Sequence, residues 1–429
     1  EAHTLRGEWP GGEPRFDGSR RPGFSMATFR SHCRFVIAVG MLASAMLTAP
    51  VLMAQGVSPF GEATPATNEA TPIATPPGAW GIVDTREIDV DGMPVALSPD
   101  GQWIAGTGPD REFCIWDINT LTPICAEPGD YRPHAEAIVW SPDSTAVAFT
   151  EDALRTFIDS DLYVFELGSG TLVNLTDDGF SGGMSIMGDE SATVPLLDLG
   201  PAWMSDGQSL AFSRIHGIDR DGPMPEILQI DRAGGDPALL ATLEVDMPSA
   251  MVAPMIALQD GRLVYSVDTA RPDNPNNGIW MLAPGDEPVQ IVSGTDRDEF
   301  PFSRLVDAVN SPDGVLISGI SLSLFSTGRG QEPYAFVINA ETGDVAMLEG
   351  GISPLRYGPD DVSTIAMNFE GDDGFLTITA PNGEVSFLGP VQRSRYQVDR
   401  GLDWATNNTV FLASGVSNDQ LVTLAPVEA

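Results

Sequence analysis

One stretch recurs along this chain and constrains its fold more than any other feature. It is clearest at Trp140-Ser141-Pro142-Asp143-Ser144-Thr145-Ala146-Val147-Ala148-Phe149 and returns, with drift, from Leu97-Ser98-Pro99-Asp100-Gly101, Trp203-Met204-Ser205-Asp206-Gly207 and Gln259-Asp260-Gly261. Weaker copies follow at Ser311-Pro312-Asp313-Gly314, Gly358-Pro359-Asp360-Asp361 and Trp404-Ala405-Thr406-Asn407-Asn408. In each, an apolar run meets a tight turn and a second apolar run follows. Pro presets φ at the first corner, Asp caps the turn with its carboxylate, and Gly takes the positive-φ position that lets a hairpin continue. The run after the turn is β-branched or aromatic, as strands prefer.

Each copy continues into a third candidate strand: Glu112–Ile118, Leu162–Leu167, Ile227–Asp231, Gly278–Leu282, Ala335–Asn339 or Phe375–Thr379. A fourth follows at Pro123–Ala126, Leu172–Leu175, Ala238–Ala241, Val289–Val292, Val345–Leu348 and Val385–Leu388. The turn acids and amides stand at positions 100, 143, 206, 260, 313, 360 and 407, at intervals of 43, 63, 54, 53, 47 and 47 residues. Four strands repeated at this period predict an all-β fold, a seven-bladed β-propeller of four-stranded antiparallel blades. A two-sheet sandwich is the competing architecture, but it gives no reason for one turn to occur seven times.

The pattern of an aromatic residue, Ser-Pro-Asp-Gly and then Ile-Ala-Phe resembles the WD40-like repeat of TolB-type bacterial β-propellers. That repeat also builds the non-catalytic propellers of prolyl-oligopeptidase-family enzymes. The resemblance covers about residues 92–425, strongest in copies one to three and degenerate in copies five to seven. It implies a propeller and an extracytoplasmic habit. It implies no activity, because propellers host many unrelated functions.

The N-terminal region divides by composition. Residues 1–25 are rich in Gly, Arg and Pro without apolar period, and read as an upstream non-native or mis-started segment ahead of Met26. Arg30 and Arg34 precede the apolar run Phe35–Ala54, so 26–54 reads as a signal peptide. The rival reading is an uncleaved membrane anchor, since such a run can span a bilayer. Residues 55–79, rich in Thr and Pro, read as a disordered tether ahead of a propeller over 80–429. The last copy offers three strands, Leu402–Trp404, Val410–Ala413 and Gln420–Leu424. Gly81–Val90 is expected to pair with Gln420–Leu424, supply the missing strand and close the ring.

Charge excludes several functions. All 22 basic residues are Arg, and after Ala54 the chain has 16 Arg against 56 Asp and Glu, a net charge of −40. Nucleic acid is therefore an unsuitable partner, and a membrane is reached only through an uncleaved leader. A cationic ligand, a metal or a basic partner suits the charge, as does a plain solvated surface. Absence of Lys removes Walker-type phosphate loops, Schiff-base chemistry and kinases. Three cysteines occur; Cys33 lies in the leader, while Cys114 and Cys125 flank a turn near Asn119-Thr120. They predict a cross-strand disulfide in an oxidising compartment, with two buried thiols as the alternative.

Chemistry-bearing motifs are sparse. Beyond the leader only His134 and His216 remain, without H-E-x-x-H or C-x-x-C, so a histidine-built zinc centre is not expected. Gly179-Phe180-Ser181-Gly182-Gly183 matches G-x-S-x-G but lacks the strand-to-helix context of a hydrolase elbow. Asp219-Arg220-Asp221-Gly222 hints at a calcium loop, yet Pro223 and Ile230 stand where further ligands are required. Asp159-Ser160-Asp161 is a similar acidic turn. No cofactor is expected beyond, at most, a structural calcium ion at such a turn. The longest insertion, Phe180–Leu199, with Met184 and Met187, is where a contact surface would sit.

Propeller anatomy places His134, Glu136, Asp198, Arg304, Asp307, Arg356, Asp399 and Arg400 near the channel rim as candidate ligand-binding residues; no catalytic residue or metal ligand is assigned. The expected protein is a secreted, monomeric, non-enzymatic binding or interaction module of the cell envelope. Its ligand would be a protein, a peptide or a small polar molecule. The alternative is a propeller lyase or hydrolase using channel carboxylates with a divalent cation, and a third reading is a structural envelope protein.

Overall fold

The structure, a computed structural model, describes residues 79–129, 131–151, 160–179, 196–216, 223–245, 250–269, 274–293, 303–321, 334–348, 355–370, 373–391, 402–413 and 419–427. The leader, nearly all of the tether and Cys33 lie outside these residues. Among those described, no helix is long and apolar enough to cross a membrane.

The strands form seven four-stranded antiparallel sheets. Blade one comprises Met93–Leu97, Trp103–Thr107, Phe113–Asp117 and Pro123–Cys125, and blade two Val139–Trp140, Ala146–Thr150, Leu162–Glu166 and Thr171–Asn174. Blade three comprises Leu197–Trp203, Ser209–Ile215, Glu226–Asp231 and Ala238–Thr242, and blade four Met251–Ala257, Leu263–Asp268, Gly278–Leu282 and Val289–Ser293. Blade five comprises Ser303–Ser311, Gly314–Ser321, Tyr334–Asn339 and Val345–Met347, and blade six Arg356–Tyr357, Thr364–Glu370, Asp373–Thr379 and Val385–Val391. Blade seven joins Leu402–Trp404, Thr409–Leu412 and Asp419–Val427 to the N-terminal strand Ala79–Ile88. Each blade's first strand touches the first strands of the blades before and after it, and the seventh touches the first, so the first strands form the inner wall of a closed ring.

Ring closure follows the expected pairing. Ala79–Ile88 runs antiparallel to Asp419–Val427, from Ala79 opposite Val427 to Ile88 opposite Asp419. The strand therefore begins inside the stretch expected as tether. The disulfide is also present: Cys114 and Cys125 lie opposite each other on the third and fourth strands of blade one and are bonded.

The turn between first and second strands carries a positive-φ residue in every blade. Gly101, Ser144, Gly207, Gly261, Gly314, Asp361 and Asn408 all have positive φ, between 57° and 113°. In blades two, six and seven the position is filled by Ser144, Asp361 and Asn408, so the left-handed corner is kept there without glycine. The serine of the motif has a role the sequence did not disclose. Ser141 Oγ donates to Asp143 Oδ1 at 2.6 Å and accepts from the N–H groups of Thr145 and Ala146; Ser98 does the same with Asp100, Gln102 and Trp103.

Packing occurs between blades. In the second strand of blade two, Val147 and Phe149 pack with blade one, while Ala146 and Ala148 pack with blade three. All five residues of that strand are buried, so it reads as a continuous apolar run rather than an alternating one. Polar ties cross the same gaps. Trp140 Nε1 donates to Ala96 O and Trp203 Nε1 to Val139 O, both at 3.1 Å. Ser213 Oγ donates to Val252 O at 2.8 Å, Ser266 Oγ accepts from Leu305 N at 2.7 Å, and Ser318 Oγ donates to Leu355 O at 2.6 Å. Tyr357 occupies the position of Trp140 and Trp203 in its repeat, but its buried hydroxyl has no partner among the described residues.

Two expectations follow for stability. Gly207→Ala adds a Cβ with nothing closer than 3.8 Å, so it should cost only the left-handed backbone penalty, about 1 kcal/mol. Gly101→Ala should cost distinctly more, because its Cβ would overlap the Asn407 side chain from blade seven; denaturant midpoints compare them, and equal losses would contradict the docking of these two turns. Tyr357→Phe should be neutral or stabilising by up to about 1 kcal/mol, since it removes a buried unpaired hydroxyl.

Candidate functional site

The Ser-Pro-Asp turns occupy one face of the disc. On the opposite face the first strands begin, the second strands end and the third strands begin. There, blades two and three gather a cluster of ionisable groups. Glu151 follows the second strand of blade two, Asp161 precedes its third strand, and Asp198 is the second residue of blade three's first strand. Arg214 lies near the end of blade three's second strand, with His216 just beyond it and Glu226 opening the third.

Asp198, 1% exposed, receives both Arg214 Nε at 2.7 Å and Nη2 at 2.8 Å. Burial pushes the Asp198 carboxyl up against the pull of that guanidinium. Burial opposes the Arg214 charge in turn, yet Asp198 holds its pKa above the usual value. The two-pronged geometry favours the ionised pair. Ser160 Oγ fixes the Asp198 carbonyl at 2.8 Å, linking blades two and three.

Among the described residues Glu151 and Asp161 differ from Asp198 in having neutral partners. Glu151 accepts from the backbone N–H groups of Arg132 and Asp161, each at 3.3 Å. Asp161, 5% exposed, accepts from the Asn174 amide at 2.6 Å. Burial raises the Glu151 pKa to about 7, and raises that of Asp161 to about 6 with Asp198, Asp178 and Asp177 adding to it. Two desolvated carboxyls therefore titrate close to neutral pH. Beside them His216 Nε2 lies 2.9 Å from Glu226 Oε2, both about one-quarter exposed.

The remaining rim candidates are placed as follows. His134 donates its backbone N–H to Thr150 O. Asp307 accepts from Ala308 N and from Tyr357 N of blade six, both at 2.9 Å, and burial raises its pKa against the pull of Arg356. Arg356 donates to Val306 O at 2.6 Å, so Asp307 and Arg356 are brought together. Asp403, which the sequence reading did not select, accepts from Leu97 N of blade one at 2.9 Å. These two aspartates therefore tie neighbouring blades. The side chains of Glu136 and Arg304, and all of Asp399, Arg400, Asp159, Asp219–Gly222 and positions 180–195 of the insertion, lie outside the described residues. Glu151 and Arg214 also escaped the sequence reading. Both belong to the far end of a second strand, Glu151 just after it and Arg214 just inside it, and only that position could have flagged them.

Among the described residues, one group of His, Cys, Asp and Glu brings its ligand atoms within 4.8 Å of one another: Glu112, Cys114 and Cys125, on blade one. The Glu151 cluster does not qualify.

No family model matches the chain, and no curated protein matches it. Solved structures do. An oligogalacturonate lyase in complex with manganese has a TM-score of 0.50 at 12% identity, covering 82% of this chain and 99% of the other. An oligogalacturonate lyase from Vibrio parahaemolyticus gives 0.51 at 13%, covering 81% and 98%. The likeness is one of fold. TolB from Acinetobacter baumannii also appears, at a TM-score of 0.39 and 16% identity over 70% of this chain and 68% of that one.

The titration of Glu151 makes stability pH-dependent. Folded, it keeps its proton up to about pH 7, whereas the ordinary value is 4.5, so the folded state holds the extra proton between these values. Stability must then fall as pH rises through that window. The gap corresponds to about 3 kcal/mol at most, reduced to about 1–2 kcal/mol by solvent reaching a partly exposed carboxyl. Glu151→Gln should match the parent at pH 4, below the unfolded value, and exceed its stability by that amount at pH 8. Parallel stability curves for the two proteins would contradict the assignment.

Proposed function

We propose that the chain is an extracytoplasmic binding module that takes a cation-bearing ligand on the face where blades two and three open. The observation that carries this is that, among the described residues, Glu151 and Asp161 are paired with neutral partners only, in a site where burial lifts both towards neutral pH. A carboxylate desolvated without a counter-ion gains more from an incoming cation than one already paired, because the attraction acts in a low-dielectric setting. The net charge of −38 draws cations towards the disc as a whole. The disulfide and the apolar run Phe35–Ala54 support an oxidising, extracytoplasmic location.

An enzymatic reading is favoured by one observation: a carboxyl titrating near 7, as Glu151 does, is suited to taking a proton from a substrate. The fold neighbours named as oligogalacturonate lyases give that reading a substrate class to try. Charge weighs against it. A polyanionic sugar acid would approach a strongly acidic disc on which Arg214 is committed to Asp198.

The test is calorimetric titration with an Arg-containing hexapeptide and its Glu-containing counterpart at pH 5 and pH 8. Binding should be confined to the basic peptide and should strengthen at pH 8, because protonated Glu151 and Asp161 lose their attraction for a cation. Glu151→Gln should weaken it by about fivefold to tenfold, the scale of one partly screened charge contact. Equal affinity for both peptides would sink the reading. Release of an unsaturated product from oligogalacturonate, with manganese supplied, would transfer support to the lyase.

A further inference from the structure

Blade one carries a second constellation, built on the disulfide and the acid that precedes its third strand. Cys114 is fully buried, Cys125 is exposed, and their sulfurs form the disulfide. Glu112, two residues before Cys114, points its carboxylate at the same place. Its Oε1 lies 3.5 Å from Cys114 Sγ, and its Oε2 is buried with no partner among the described residues. Gly108 keeps this space open: a Cβ there would overlap Glu112 Oε1 and stand 2.7 Å from Cys114 Sγ. A backbone N–H from Gly108 to Glu112 O at 2.8 Å holds the hairpin that presents the acid.

We propose that reduction converts this constellation into a zinc site, with Glu112, Cys114 and Cys125 as its three protein ligands. The geometry fits tetrahedral coordination. Zinc bonds of about 2.0 Å to oxygen and 2.3 Å to sulfur, at the tetrahedral angle, set an O···S edge of about 3.5 Å, and Glu112 Oε1 already stands at that distance from Cys114 Sγ. The three ligand atoms lie within 4.8 Å of one another. The sulfurs must part to about 3.7 Å, the matching S···S edge, which side-chain rotation at the exposed Cys125 supplies. Solvent at Cys125 leaves the fourth position to water. The chemistry balances. A dithiol donor gives two electrons and two protons to the disulfide and is itself oxidised to a disulfide. Zinc then binds the two thiolates, releasing their protons, and Glu112 brings the charge of the four-coordinate site to −1. Reoxidation by a disulfide, which takes up the two electrons and two protons and leaves as a dithiol, re-forms the Cys114–Cys125 bond and expels the ion.

The experiment uses the full chain with Cys33→Ser, so that these are its remaining cysteines, and zinc as the probe. Zinc uptake is measured on oxidised and phosphine-reduced protein, with thermal unfolding in parallel. The reduced chain should take up one zinc and melt at a higher temperature with it, while the oxidised chain, equal in formal charge apart from the thiols, should take up none at the same concentration. Glu112→Gln should weaken binding by tenfold or more, the scale on which removing a supporting group weakens a zinc centre, and Cys114→Ser should abolish it. Equal uptake by oxidised and reduced chains would mean diffuse binding to the acidic surface and overturn the proposal. So would unchanged affinity in Glu112→Gln, or a reduced chain that unfolds and is not restored by zinc.

Discussion

Burial of both faces of every blade against its neighbours is the constraint from which the rest of this structure follows. A four-stranded sheet whose middle strands are apolar on both sides, as in Ala146–Thr150, cannot stand alone in water. Seven such sheets in a ring each cover the next, and each gap holds its own apolar cluster, such as the Phe113, Phe149 and Phe165 group between blades one and two. A ring is stable only if it closes. Closure here rests on the N-terminal strand, whose Trp80 also packs edge-on against Trp404 and donates its backbone N–H to the Ser386 hydroxyl of blade six. Ordering 79–88 onto the last blade therefore joins both ends of the chain in one set of contacts and removes an exposed sheet edge.

Polar groups near the inner wall serve that ring first. Asp307 and Asp403 use their carboxylates to accept a backbone N–H from the next blade, and Ser213, Ser266 and Ser318 bridge with hydroxyls. Charge on an inner strand is thus a poor guide to ligand binding in this protein. The functional signal lies where buried carboxyls find no cationic partner among the described residues, at Glu151 and Asp161 and at Glu112 beside the disulfide. The first pair is suited to an external cation. The second is idle until its sulfurs are freed.

The sequence alone determined the repeat, and with it the number of blades, the strand order and the closing strand. Those features depend on local chemistry: a Pro-Asp corner, a left-handed fourth residue and an apolar run write themselves at fixed spacing whatever surrounds them. Cys114 and Cys125 were legible for the same reason, since a hairpin pairs residues placed evenly about its turn. Tertiary structure decided which charges matter. Asp198 was found by its position, but Arg214, which neutralises it, sits 16 residues away on another strand. Glu151 and Asp161 meet only because the end of blade two's second strand lies beside the start of its third, and their pKa values are set by burial, which no spacing encodes. Desolvation and the presence or absence of a counter-ion are properties of the assembled ring, so they come into being only when the seventh blade meets the first.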